Sequence, residues 1–245
     1  MKILSAVILF SAWEDAARIP ISPAFPSFIE TMAALWAMIM DLSLIKAFVI
    51  TLKPLILGLV ISIVLGVGVG VLMGLNPFSE WLGSPVFIIM QASPIAALIP
   101  VLTLAYGIGM TSKVFIVCIM AMPVIALNSL GAVRNTSESL IDMGRSFLGD
   151  RYQIIVKIII PAASPVIFAG LRLGCAAGFI GIILGELLIT PTGIGDIITY
   201  NQAIAAYDNM YAAIFSVIAF SVLFLEVIEK AEVEFFRPEK KGRKI

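Results

Sequence analysis

No histidine occurs anywhere in the 245 residues. Imidazole acid–base catalysis, histidine metal ligation and imidazole proton relays are thereby excluded. Cysteine is nearly absent. Cys118 and Cys175 each sit inside an apolar run, which suits two small core residues better than a structural disulfide or a zinc site. Charge is scarce as well: 13% of the residues are Asp, Glu, Lys or Arg, against about 25% in a typical soluble domain. That is too little polar material to cover a water-facing surface. A nucleotide-binding loop is missing too. GVGVG at 66–70 lacks the Lys-Ser/Thr ending and lies within an apolar run, so any ATP chemistry would belong to another polypeptide.

What is present is apolar. Hydrophobic residues make up 60% of the chain and mean hydropathy is +1.08. The run from Leu55 to Leu75 does not alternate as a barrel strand does; apart from Ser62 it is apolar or glycine throughout. The expected fold class is an all-α integral membrane protein with about six transmembrane helices. Spans are expected at about 46–75, 81–108 (interrupted by Pro94 and Pro100), 114–133 (Pro123 inside), 162–189 and 211–228, after a short first segment at 1–13. That segment has the length of a signal-peptide core. Glu14 and Asp15 follow it in place of a small-x-small cleavage site, which favours the end of a first membrane helix. Residues 14–41 carry Glu14, Asp15, Glu30 and Asp41 against Arg18, and Pro20, Pro23 and Pro26 break them up. An external loop holding a short apolar helix, TMAALWAMIM, on or near the membrane is expected there. The domain plan is a membrane segment and external loop at 1–45, a core at 46–230 with a charged loop at 134–161, and a basic tail at 231–245.

The charges set the orientation. Arg134, Arg145, Arg151 and Lys157 crowd the central loop, and Lys240, Lys241, Arg243 and Lys244 crowd the C-terminus. Two spans separate the loop from the tail, so both lie on one side. Both are basic, which makes that side cytoplasmic. The acidic loop then falls outside.

Small residues form stripes. Gly58, Ser62, Gly66, Gly70 and Gly74 recur every fourth residue in the second span; Gly170, Gly174 and Gly178 repeat the device in the fifth, with Gly181 and Gly185 beyond. Such stripes let another backbone approach closely in lipid. Static tight packing and helices that slide on one another are both compatible with the pattern.

The central loop reads LIDMGRSFLGDRYQIIVKIIIP at 140–161. Leu140, Met143 and Phe147 share one face of a helix over 137–147. Gly149 allows a turn, 152–160 is helical again, and Pro161 stands where the next span begins. This makes a knob outside the membrane whose apolar face a partner protein would cover.

Here the chain resembles the permease subunits of ATP-binding cassette importers. Their cytoplasmic loop has the form E-A-A, a glycine after three further residues, and I-x-L-P after nine more. Aligned on Pro161, Asp142-Met143-Gly144 stands for the E-A-A triplet, and Ile158 and Ile160 take the Ile and Leu positions. The motif glycine falls on Leu148, with Gly149 one place later. TLKPLILGLVISIVLGVGVGVLMG, SPIAALIPVLTLAYGIG and IFAGLRLGCAAGFIGIILGELL followed by TGIGDII are similar to successive stretches of the nitrate/sulfonate/taurine branch, over about 46–230.

The resemblance implies a permease core that pairs with a second permease copy as a homodimer. Two ATPase subunits would carry ATP and Mg, an external binding protein would deliver the substrate, and this chain would bind no cofactor itself. The location implied is a bacterial or archaeal inner membrane. The coupling residues implied are Asp142, Met143, Gly144, Arg145, Phe147, Gly149 and Arg151; the two arginines are equally readable as mere markers of the inner side. The branch handles nitrate, sulfonates, taurine, aromatic acids and vitamin precursors, largely anions.

Polar residues inside the spans are candidates for a translocation path. Gln91, Ser93, Thr103 and Tyr106 lie in the proline-broken span, where freed backbone groups can face water. Arg172 can neutralise an anion or anchor a neighbouring helix, and Glu186 is expected near the outer mouth. They lie about 21 Å apart at ~1.5 Å per residue and cannot pair within their helix. Two other readings stay open: a secondary transporter working without an ATPase, and a membrane-embedded enzyme. The latter suffers from having its acids mostly in loops.

Overall fold

The computed structural model describes residues 2–19, 24–189 and 191–236. Pro20 and Pro23 of the acidic loop, and Lys240, Lys241, Arg243 and Lys244 of the basic tail, lie outside the described residues. Every regular element among those described is helical: α1 (Lys2–Arg18), α2 (Phe28–Met40), α3 (Ser43–Leu75), α4 (Pro77–Ala92), α5 (Ile95–Tyr106), α6 (Met110–Arg134), α7 (Glu138–Ser146), α8 (Arg151–Ile154), a π turn (Ile155–Ile159), α9 (Ile160–Leu188), α10 (Ile194–Ala203) and α11 (Tyr207–Phe236).

Among the described residues, four helical stretches are long and apolar enough to cross a membrane: α3, α6, the continuous helix 151–188, and α11. The pair α4 and α5 is bent by 100° and makes a fifth if counted as one broken span. The break has a local cause. Proline disfavours the helical conformation in the residue before it, and Ser93, before Pro94, is extended (φ −68, ψ 136). The expected count of six is therefore approximate. The first segment is the 17-residue α1, shorter than the ~20 residues a bilayer needs.

Two compact units are distinguished, with the division falling inside helices. The first comprises Met1–Lys53 and Ile183–Val222. Its core joins Ala34 and Met38 of α2, Leu44 and Ala47 of α3, Ile194 and Ile198 of α10, and Ala212 and Ala213 of α11. Helix α2 opens with a reciprocal cap: Glu30 N–H donates to Ser27 Oγ (3.2 Å) and Ser27 N–H to Glu30 Oε2 (2.9 Å). The short apolar helix thus does more than rest on a membrane. Its Thr31, Ala34 and Met38 face is buried in the core, while Trp36 and Met40 stay exposed. Trp13 of α1 donates to the Pro26 carbonyl (3.1 Å) and lies tilted against the rings of Phe25 and Tyr211, each with its centroid 6.2 Å away.

The second unit comprises Pro54–Ile182 and Leu223–Ile245. Here both small-residue stripes find the same partner, α6. A Cβ on Gly58 would stand 2.7 Å from Val117 Cβ, and one on Gly66 3.0 Å from Ile125 Cβ. From α9, a Cβ on Gly174 would run into the Ile125 side chain, and one on Gly181 would lie 2.8 Å from Met120 Cγ. Helix α6 is therefore gripped by α3 and α9 at near backbone contact. Ser62, fully buried within the stripe, donates to the Gly58 carbonyl (2.7 Å) of its own helix. Its hydroxyl needs no partner from outside.

Candidate functional site

The charged loop folds into an elbow within the second unit. Helix α7 turns its Ile141 side toward a core of Ala132, Val133, Ile154, Ile159, Ala163 and Ile167. Its other face is uncovered: Leu140, Met143 and Phe147 are all exposed, Phe147 at 81%. Asp142 Oδ1 accepts from Arg145 Nη1 (3.1 Å) on the same exposed surface.

The end of α7 is closed by backbone bonds. Leu148 N–H donates to the Arg145 carbonyl (2.9 Å) and Gly149 N–H to the Gly144 carbonyl (3.1 Å). This is the two-bond helix stop in which the residue after the cap adopts a left-handed conformation and is usually glycine. That residue is Leu148 (φ +57). The turn expected at Gly149 therefore pivots one residue earlier, at the position where the importer motif carries its glycine. Leu148 projects into solvent, 93% exposed.

Two of the expected coupling residues shape the elbow itself. Gly144 is buried, and a Cβ there would strike Ile158 Cδ1. It sets how closely α7 lies on the π turn. A Cβ on Gly149 would stand 2.9 Å from the Gly144 carbonyl, so Gly149 shapes the turn. Asp150 then caps α8 by accepting from Gln153 N–H (2.7 Å). Arg145 and Arg151 line a cavity of about 550 Å³ at the elbow's base. Of the expected coupling residues, Asp142, Met143, Arg145, Phe147 and Arg151 are exposed, as are their neighbours Leu140, Leu148 and Tyr152.

Of the six path candidates, Gln91, Ser93, Thr103 and Tyr106 lie along the broken pair α4 and α5, and Arg172 and Glu186 lie on α9. Gln91 and Ser93 stand at the bend between α4 and α5, and the Ser93 hydroxyl donates to the Ile89 carbonyl (2.7 Å). Thr103 is buried and its hydroxyl bonds the Pro100 carbonyl (2.9 Å). Tyr106 stacks on Phe115 with ring centroids 4.3 Å apart. Arg172 pairs with Glu229 of α11 (3.6 Å), an acid that the sequence reading did not connect with it.

Glu186 is the most deeply buried of the six. It lies in the first unit and is 1% exposed, held in a packed cluster. Its carboxylate accepts from Thr51 Oγ1 (2.8 Å) and Gly195 N–H (3.1 Å), while Thr51 Oγ1 accepts from Ile194 N–H (3.1 Å). The acid thus anchors the start of α10 to α3. Sequence reasoning passed over Thr51, which carries no signal of its own inside an apolar helix. It also passed over Lys113, buried at the start of α6; a lysine at the head of a span reads as its solvated end.

Comparison with known proteins agrees with this architecture. The family model described as "Binding-protein-dependent transport system inner membrane component" matches residues 62–229. The taurine transport system permease protein TauC of Escherichia coli (strain K12) is 28% identical over 228 residues, covering 91% of this chain and 82% of that protein. A probable ABC transporter permease protein of Haemophilus influenzae is 30% identical over 174 residues, covering 71% of each. Among solved structures, a chain of the inward-facing MetNI methionine ABC transporter aligns with a TM-score of 0.65 at 20% identity, covering 81% of this chain and 97% of that one. That likeness concerns the fold. The chain belongs to the family of binding-protein-dependent transport system inner membrane components and is a multi-pass transport permease of the ABC importer type.

Proposed function

We propose that this permease works with two separate ATPase subunits that grip the elbow by its uncovered face. Met143 and Phe147 fill a groove on the ATPase, and Asp142 supplies the polar contact. ATP and Mg reside on that partner. A second copy of this chain completes the path, an external binding protein delivers the solute, and the C-terminus is cytoplasmic. The single observation that carries the reading is the apolar face Leu140–Met143–Phe147 standing bare on a helix outside the spans. An exposed apolar face rimmed by charge marks an interaction site.

The substrate class is a small anionic solute, a sulfonate, taurine or nitrate. Support comes from the taurine permease relative, since taurine carries a sulfonate. The charge of Arg172 is offset by Glu229 in this conformation, so anion selection is assigned to the binding protein first.

The test is reconstitution of the chain with its ATPase and binding protein in vesicles. Asp142→Lys is expected to insert normally and to uncouple ATP hydrolysis from uptake. Phe147→Asp removes an exposed side chain, so the chain alone keeps its stability. Docking of the ATPase should weaken by about 30-fold, the order expected for an aromatic anchor. Normal transport by both variants overturns the reading.

A further inference from the structure

The cavity under the elbow has its own chemistry. It measures about 550 Å³, within the usual range of ligand sites (roughly 300–1,000 Å³). Arg145 and Arg151 stand in its wall with Leu75, Ile141, Ile154, Ile155 and Ile159. The acids close by in sequence are engaged: Asp142 by Arg145 Nη1 and Asp150 by Gln153 N–H. A guanidinium has five donor hydrogens, so Arg145 keeps others for a ligand. Leu140, Met143 and Phe147 are absent from the wall, and the surface assigned to the ATPase meets it only through the Asp142–Arg145 pair.

The cavity's place decides what it holds. Leu75 is the last residue of α3, so the cavity adjoins one end of that apolar span. Ile154, Ile155 and Ile159 lead into α9 at the same end of the second unit. A free phosphate would gain nothing from five aliphatic side chains. A lipid satisfies both halves at once: its phosphodiester meets the guanidiniums and its glycerol and first methylenes meet the isoleucines. Basic pockets between helices at the cytoplasmic surface hold anionic head groups in this way. We infer that this cavity binds an anionic phospholipid of the surrounding leaflet, its phosphate held by Arg145 and Arg151. So placed, the lipid wedges the elbow against the ends of α3 and α9, and Arg151 serves lipid rather than an acid of the ATPase.

The test uses the full chain in detergent and does not depend on the ATPase. Phosphatidylglycerol or phosphatidylcholine is added, and lipid retention is read by native mass spectrometry. Phosphatidylglycerol is expected to be retained preferentially. Arg145→Gln and Arg151→Gln should each reduce that preference by about fivefold, the factor one basic residue near a lipid surface supplies. Equal retention of the two lipids, or an unchanged preference in both variants, overturns the inference. A third arm adds inorganic phosphate; complete displacement of the lipid by millimolar phosphate would reassign the cavity to a free anion. A photoactivatable phosphatidylglycerol tests the unmutated chain, so that a variant's failure to fold leaves a result in hand. Its crosslinks should concentrate in residues 138–160, and labelling spread evenly over the spans counts against the site.

Discussion

Thr51 Oγ1 lies 2.8 Å from Glu186 Oε2, and the two residues are separated by 135 positions in the chain. Both side chains are buried. The same hydroxyl accepts from Ile194 N–H, so one threonine connects a buried carboxylate to the first backbone donor of α10. Removing one partner of a buried polar pair leaves the other unsatisfied, at about 1–3 kcal/mol. Thr51→Val is therefore expected to destabilise the fold by that order. Amide exchange at Ile194 and Gly195 should accelerate, while Thr51→Ser stays close to the parent. Unchanged exchange at both amides would show that the cluster does not hold α10.

Leu148 provides a stabilising prediction. A left-handed backbone costs a residue with a Cβ about 1–2 kcal/mol, and this exposed side chain buries nothing in return. Leu148→Gly should raise the thermal midpoint, and Leu148→Val, branched at Cβ, should lower it. Gly149→Ala should also lower it, because its Cβ meets the Gly144 carbonyl. Equal midpoints for Leu148→Gly and Leu148→Val would refute the assignment of the turn.

The glycine stripes separate two identical chemical changes by their surroundings. Gly174→Ala drives a methyl into Ile125 with the Ala121 carbonyl 3.2 Å away, an overpacking of about 1–3 kcal/mol. Gly68 has nothing within 4 Å of where its Cβ would be. Gly68→Ala should therefore gain up to ~1 kcal/mol from helix propensity alone. Thermal unfolding in detergent checks the pair, and the same sign for both would sink the packing account.

The cap of α2 is sensitive to acid. Hydrogen bonds from the Ser27 backbone and then its side chain hold the Glu30 carboxyl below its ordinary value, and α2 lies outside the four spans. A depressed folded value means that the ionised acid stabilises the cap above the unfolded value. That contribution is lost as pH falls through the folded one. Exchange of the Glu30 and Thr31 amides should quicken below the usual carboxylate range, and Glu30→Gln should remove this pH dependence. A parent protein whose exchange there ignores acid would contradict the cap.

Much of the elbow was legible because its information is local. The i, i+3, i+7 face of Leu140, Met143 and Phe147 follows from helix geometry, and Pro161 sits at the second residue of α9. The turn was misplaced by one residue because glycine is permissive at a left-handed position but not required there. The backbone bonds from Leu148 and Gly149 to α7 decide which residue takes it. The partners of the path candidates were illegible for a different reason. A lone charge in a span announces that something must compensate it, but not what. Glu229 does so for Arg172, and Thr51 with Gly195 for Glu186.

By itself the sequence determined that this is a helical membrane protein, where most spans lie, and that its glycine stripes would meet a neighbour closely. Composition and periodicity carry those properties, and both are one-dimensional. Only the tertiary structure decided that α6 is the neighbour of both stripes, that Glu186 is an internal anchor, and that two arginines share a cavity with five aliphatic residues. Each of these depends on which distant segments meet. In lipid that choice is made by close van der Waals fit and by satisfaction of buried polar groups, and neither leaves a mark on a single segment read alone.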